Sequence, residues 1–102
     1  YHTRLTDVLR HEWAHALADR RPRLVQTKRF SSVFGGAYDS TDPVREYDPG
    51  HHLTPYASTR PCEDFAETFH FYLRHKGRLP LWLRGRPVIA RKWGFIASAA
   101  RF

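Results

Sequence analysis

The chain has 102 residues, 41% hydrophobic and 15% aromatic, which sets an expectation of one domain with a modest core. Its single cysteine, Cys62, excludes an intrachain disulfide, and no apolar run reaches the roughly 18 residues a membrane span requires. Seventeen Lys and Arg against ten acidic residues leave a net charge of +7, with a late surplus in Arg74, Lys76, Arg78, Arg84, Arg86, Arg91, Lys92 and Arg101. Such a basic C-terminal region suits an acidic partner or nucleic acid, and equally an ordinary solvated surface.

The first residue is Tyr1 and the text opens directly into a helical pattern, so the chain reads as part of a longer protein. From about Thr3 to Arg20, Leu5, Val8, Leu9, Trp13, Ala16 and Leu17 recur at three- and four-residue spacing, which predicts a helix with those residues on its apolar face. Thr3 is a candidate cap, Arg20 and Arg21 suit the negative end of the helix dipole, and Pro22 stops it. Val25 to Phe34 is expected to hold a short helix that Gly35-Gly36 ends. Turn-forming clusters follow at Asp39-Ser40-Thr41-Asp42-Pro43 and Asp48-Pro49-Gly50, within a long loop of the kind that often carries function.

Pro61 to about His75 predicts a second helix: proline in its first turn, Glu63 and Asp64 near its positive end, Lys76-Gly77 at its close. Phe65, Ala66, Phe69, Tyr72 and Leu73 supply its apolar stripe. Pro80 to Gly85 reads as a turn anchored by Leu81, Trp82 and Leu83. A third helix is expected from Pro87 to about Ala100, with Val88, Ile89, Trp93, Ile96 and Ala97 facing inward. The expected fold is mainly α, with about three helices and a long loop at the site.

The chemistry concentrates in His11-Glu12-Trp13-Ala14-His15, an HExxH pattern. Two histidines four apart on a helix share one face, so both imidazoles reach a single ion, and Glu12 beside them can take a proton from water held there. The pattern also fits a helix with two surface histidines and an ordinary glutamate. A catalytic zinc needs a third protein ligand and one open position. Glu63 and Glu67, four apart on the second predicted helix, share a face from which one could supply it.

With the stretch from Leu53 through Tyr56 to Glu63-Asp64-Phe65-Ala66-Glu67, the HExxH helix resembles the gluzincin zinc metallopeptidases, closest to the anthrax lethal factor group. The likeness covers most of the first 75 residues. It implies a zincin-like core that binds one Zn2+ through His11, His15 and Glu63, with Glu12 as general base in peptide-bond hydrolysis. It further implies that Tyr56 polarises the substrate carbonyl and that Glu67 orients His11 through its free ring nitrogen. The substrate would be a peptide or protein, and the setting a soluble protein, cytoplasmic or secreted as an effector. Gluzincins also carry a small sheet before this helix; only two residues precede the candidate cap Thr3 in the sequence given, so the resemblance departs there.

Other groups read as lesser candidates. Asp64 points away from Glu63 and suits the helix dipole, although it would replace Glu63 if that ligand failed. His51-His52 read as a solvated pair, His70 as a partly buried helix histidine, and Cys62 as packing. Two rival functions stand beside hydrolysis: a basic nucleic-acid-associated protein and a non-catalytic, zinc-stabilised interaction domain.

Overall fold

The computed structural model describes residues 4–41 and 46–100. Those residues form five helices and no strand. The first, α1, runs Leu5–Arg20. Thr3, the expected cap, lies outside the described residues, as do Asp42, Pro43 and Arg101. Arg21 leaves the helical conformation at φ −131 and Pro22 opens the four-residue α2, Pro22–Val25, so the chain turns where proline cannot continue α1.

The short helix expected between Val25 and Phe34 forms as a separate α3, Lys28–Phe34, set off from α2 by Gln26 and Thr27. The Thr27 hydroxyl accepts a hydrogen bond from the Phe30 amide at 3.0 Å and caps the new helix. Gly35 then closes it at φ 79, in the left-handed region open to glycine. After the long loop, a 3-10 turn at Tyr56–Ser58 leads into α4, Pro61–Arg74. Lys76 and Gly77 take positive φ beyond its end, and the Gly77 amide bonds back to the Tyr72 carbonyl at 2.8 Å. A second 3-10 turn, Leu81–Leu83, precedes α5, Pro87–Ala99. Three of the five helices start on proline, the residue that loses least at a first helical turn.

The core is an aromatic stack between α3, α4 and α5: Phe30, Phe34, Phe65, Phe69, Phe95 and Ile96. Phe30 and Phe34 stack at 4.6 Å between ring centroids, and Phe34 meets Phe95 edge-on at 5.4 Å. A smaller cluster of Leu83, Ile89 and Trp93 joins it through Tyr72. Ile89, Trp93 and Ile96 face inward as expected, while Val88 and Ala97 are only half-buried.

Three expectations about burial are overturned. On α1, Leu17 is buried as expected, but Leu5, Leu9 and Trp13 are 73%, 57% and 55% exposed, and Asp7, His11, Ala14 and Ala18 complete the inward face. Of the Leu81-Trp82-Leu83 anchor, only Leu83 is buried. Lys92, counted among the surface cations, is buried against Asp64 at 2.6 Å and also donates to the His51 carbonyl.

α1 and α4 pack side by side. That pairing brings residues from the two ends of the chain's first 70 positions into one polar seam. No helix among the described residues is long and apolar enough to cross a membrane.

Candidate metal centre

His11 and His15 stand one turn apart on α1, and Glu63 lies in the first turn of α4. Their side chains converge. His15 Nε2 lies 2.7 Å from Glu63 Oε1, His11 Nε2 lies 3.2 Å from the same oxygen, and the two Nε2 atoms are 3.2 Å apart. One donor atom from each residue falls within 4.8 Å of the others, a partly buried triad that could hold a metal ion.

The remaining ring nitrogens are also engaged. His11 Nδ1 meets Glu67 Oε2 at 2.8 Å, and the other Glu67 oxygen accepts from the Thr54 hydroxyl at 2.8 Å. Glu67 is completely buried, so both its oxygens are satisfied by designated partners. His15 Nδ1 lies 3.2 Å from the Tyr38 hydroxyl. Tyr56 donates its hydroxyl to Glu63 Oε2, the oxygen that the histidines leave.

A hydrogen on His11 Nδ1, donated to Glu67, leaves Nε2 with a bare lone pair in the neutral ring. That lone pair faces a carboxylate oxygen and a second imidazole nitrogen. A cation among them removes the repulsion between acceptors; so does a proton shared within the cluster. Burial disfavours a charged His11, yet the hydrogen bond and charge of Glu67, with those of Glu63, outweigh it and leave the pKa raised above 6.5. For Glu63, burial alone would raise the carboxyl; the Tyr56 hydroxyl and the two histidines overcome this and hold it below its ordinary value. The hydrogen bond to Glu63 is the main cause that pushes the Tyr56 phenol up to about 12, with burial adding to it. Tyr56 therefore keeps its proton at neutral pH.

Glu12 is exposed on α1, next in sequence to His11. Tyr56 is 38% exposed, so it is not a core aromatic. The other candidates fall elsewhere. Asp64 is taken up in its pair with Lys92 on α5. His70 is buried with Nε2 3.7 Å from Asp7 Oδ1. His52 is buried and its Nδ1 accepts from the Asp48 amide at 3.2 Å, so His51-His52 is not a solvated pair. Cys62 is half-buried with its thiol pushed up, chiefly by burial and then by Glu63, as suits packing.

Two residues at the centre escaped the sequence reading. Thr54 stood in the quoted stretch with no sign of a role, and Tyr38 is 23 positions from the histidine it touches. Neither contact follows a helical or strand period. The class that fold and site define is an all-α arrangement of the described residues with a two-histidine, one-glutamate cluster. No protein-family model, curated protein or solved structure matches the chain.

Proposed function

We propose that this chain is a zinc-dependent peptidase of the gluzincin kind. One observation carries the reading: His11 Nε2, His15 Nε2 and Glu63 Oε1 approach one another at 2.7 to 3.2 Å. Bonds of about 2.0–2.1 Å in a tetrahedral zinc site place neighbouring donors roughly 3.3–3.4 Å apart, so small outward shifts would fit the ion. Nitrogen and carboxylate donors in that number suit zinc and leave one position open.

Zn2+ bound there would acidify a coordinated water and polarise a substrate carbonyl. Glu12 accepts the proton as the carbonyl carbon is attacked and returns it to the leaving amine. Tyr56, still protonated, donates to the oxygen on which negative charge develops. Glu67 holds His11 by Nδ1, which would leave Nε2 for the ion, with Thr54 fixing the carboxylate in turn. No described residue forms a strand. An edge strand for aligning extended substrate would therefore come from other residues or from a partner.

The test pairs metal analysis with digestion of a peptide library. Wild type is expected to carry one zinc and cleave; Glu12→Gln is expected to keep the zinc and lose at least about 100-fold in turnover. Zinc without cleavage by the wild type would replace the peptidase with a zinc-stabilised domain, and absence of zinc would remove both readings.

A further inference from the structure

We infer that Tyr38 is the positioning residue of His15, holding its imidazole so that Nε2 faces the metal-binding cluster. The inference rests on the metal-centre reading and extends it to a residue on another part of the chain.

The geometry is specific. His15 Nδ1 lies 3.2 Å from the Tyr38 hydroxyl, while Nε2 of the same ring lies 2.7 Å from Glu63 Oε1. When Nε2 gives its lone pair to a cation, the ring proton resides on Nδ1, and the phenol oxygen is the acceptor placed to receive it.

The ring is fixed from behind. It meets Phe30 edge-on at 5.5 Å and Phe65 at 5.8 Å, and both phenylalanines are fully buried. Gly35 reverses the chain after α3, and a turn closed by the Ser40 amide on the Ala37 carbonyl at 3.1 Å presents Tyr38 to α1. An aromatic residue that served only packing would need no hydroxyl here. The Tyr38 hydroxyl reaches the one ring nitrogen of His15 that the cluster does not use.

The centre is thus oriented in two ways. His11 has a buried carboxylate behind it; His15, whose side chain is 25% exposed against 8% for His11, has a phenol. Losing an orienting partner of this type typically weakens metal binding by about 10–100-fold.

Tyr38→Phe keeps the ring and removes only the hydroxyl. Zinc titration is expected to show a loss of about tenfold or more in affinity, with a changed visible spectrum of the Co2+-loaded protein and a metal-free Tm close to wild type. Equal affinity and identical spectra in Tyr38→Phe and wild type would overturn the inference while leaving the metal centre intact. Failure of the wild type to bind zinc or Co2+ would overturn both. If Tyr38→Phe does not fold, the zinc-loaded wild type still decides: nitrogen-resolved NMR should find the His15 Nδ1 proton slowed in solvent exchange. Exchange at the rate of a free imidazole would sink the proposal.

Discussion

Glu63 and Asp64 are consecutive carboxylates in the first turn of α4, and the fold sends them to opposite fates. Glu63 turns toward α1, where a tyrosine hydroxyl and two imidazoles receive it and hold its pKa down. Asp64 turns toward α5, where burial is the larger effect and pushes its carboxyl up to about 6 against the pull of Lys92. The difference lies in the partners. Glu63 sits in a seam of several polar groups with some access to solvent. Asp64 has a fixed ammonium at 2.6 Å and a hydrogen-bonded threonine beside it, nearly out of contact with water. One carboxylate joins the cluster that could hold a metal ion, the other a buried ion pair.

The sharpest way to break this contrast is Asp64→Asn. It leaves Lys92 buried without a counter-charge, and removing one partner of a buried pair costs about 3–5 kcal/mol. Denaturant unfolding is expected to show that loss, with metal stoichiometry unchanged in whatever protein remains folded. Lys92 also holds the His51 carbonyl, so the loop before Tyr56 should loosen in the same variant. A stability within about 1 kcal/mol of wild type would show that the pair is dispensable. Replacing Asp64 and Lys92 together by apolar residues should recover much of the loss, since neither charge is then stranded.

A smaller effect, opposite in character, is expected from Glu67→Gln. The amide can keep its oxygen on His11 Nδ1, while its nitrogen donates to the Thr54 hydroxyl, which donates to Glu67 in the native protein; the charge is lost and that one hydrogen bond reverses. Near pH 8, metal affinity should fall by about 10–100-fold. The pH dependence should move the other way. Glu67 raises the His11 pKa, and a raised pKa means that protons compete with metal at higher pH. Without that charge His11 protonates at lower pH, so the pH below which affinity begins to fall should shift downward. Zinc titrations across pH 5 to 8, each yielding an affinity, check both parts. An upward shift in that inflection would contradict the assignment of Glu67 as the group that charges His11.

The site was largely legible in the sequence because its determinants are local. Two histidines at four-residue spacing and two glutamates at the same spacing each need only a helix to share a face. The structure brings His11, His15, Glu63 and Glu67 together, with Tyr56 bonded to Glu63. The three long helices were equally visible, α1 from periodicity and the proline that stops it, α4 and α5 from periodicity and the prolines that start them. What could not be read depends on contacts across the chain. Tyr38 reaches His15 over 23 positions and Lys92 reaches Asp64 over 28, neither of them signalled by a local pattern. The inward face of α1 was misread for a related reason. Its buried positions include Asp7 and His11, polar residues whose partners His70 and Glu67 lie on α4. Hydrophobicity alone assigns the opposite face to the core.

That inversion yields the smallest expected effect and a second comparison of neighbours, Trp13 and Ala14. Trp13 is a large aromatic left 55% exposed, whereas Ala14 is fully buried in the aromatic core. Trp13→Ser removes little packing and should change stability by no more than about 0.5 kcal/mol, the range of ordinary surface substitutions. Ala14→Leu adds volume where the core is closed and should cost about 1–3 kcal/mol. Hydrophobic periodicity alone anticipates the reverse, a severe loss at Trp13 and tolerance at Ala14. Paired unfolding measurements on the two variants separate these outcomes. The placement of His11 depends on the same rotation of α1, since Ala14 and His11 share the inward face that meets α4. A large loss at Trp13 would therefore put the helix in another orientation and take the histidines away from Glu63.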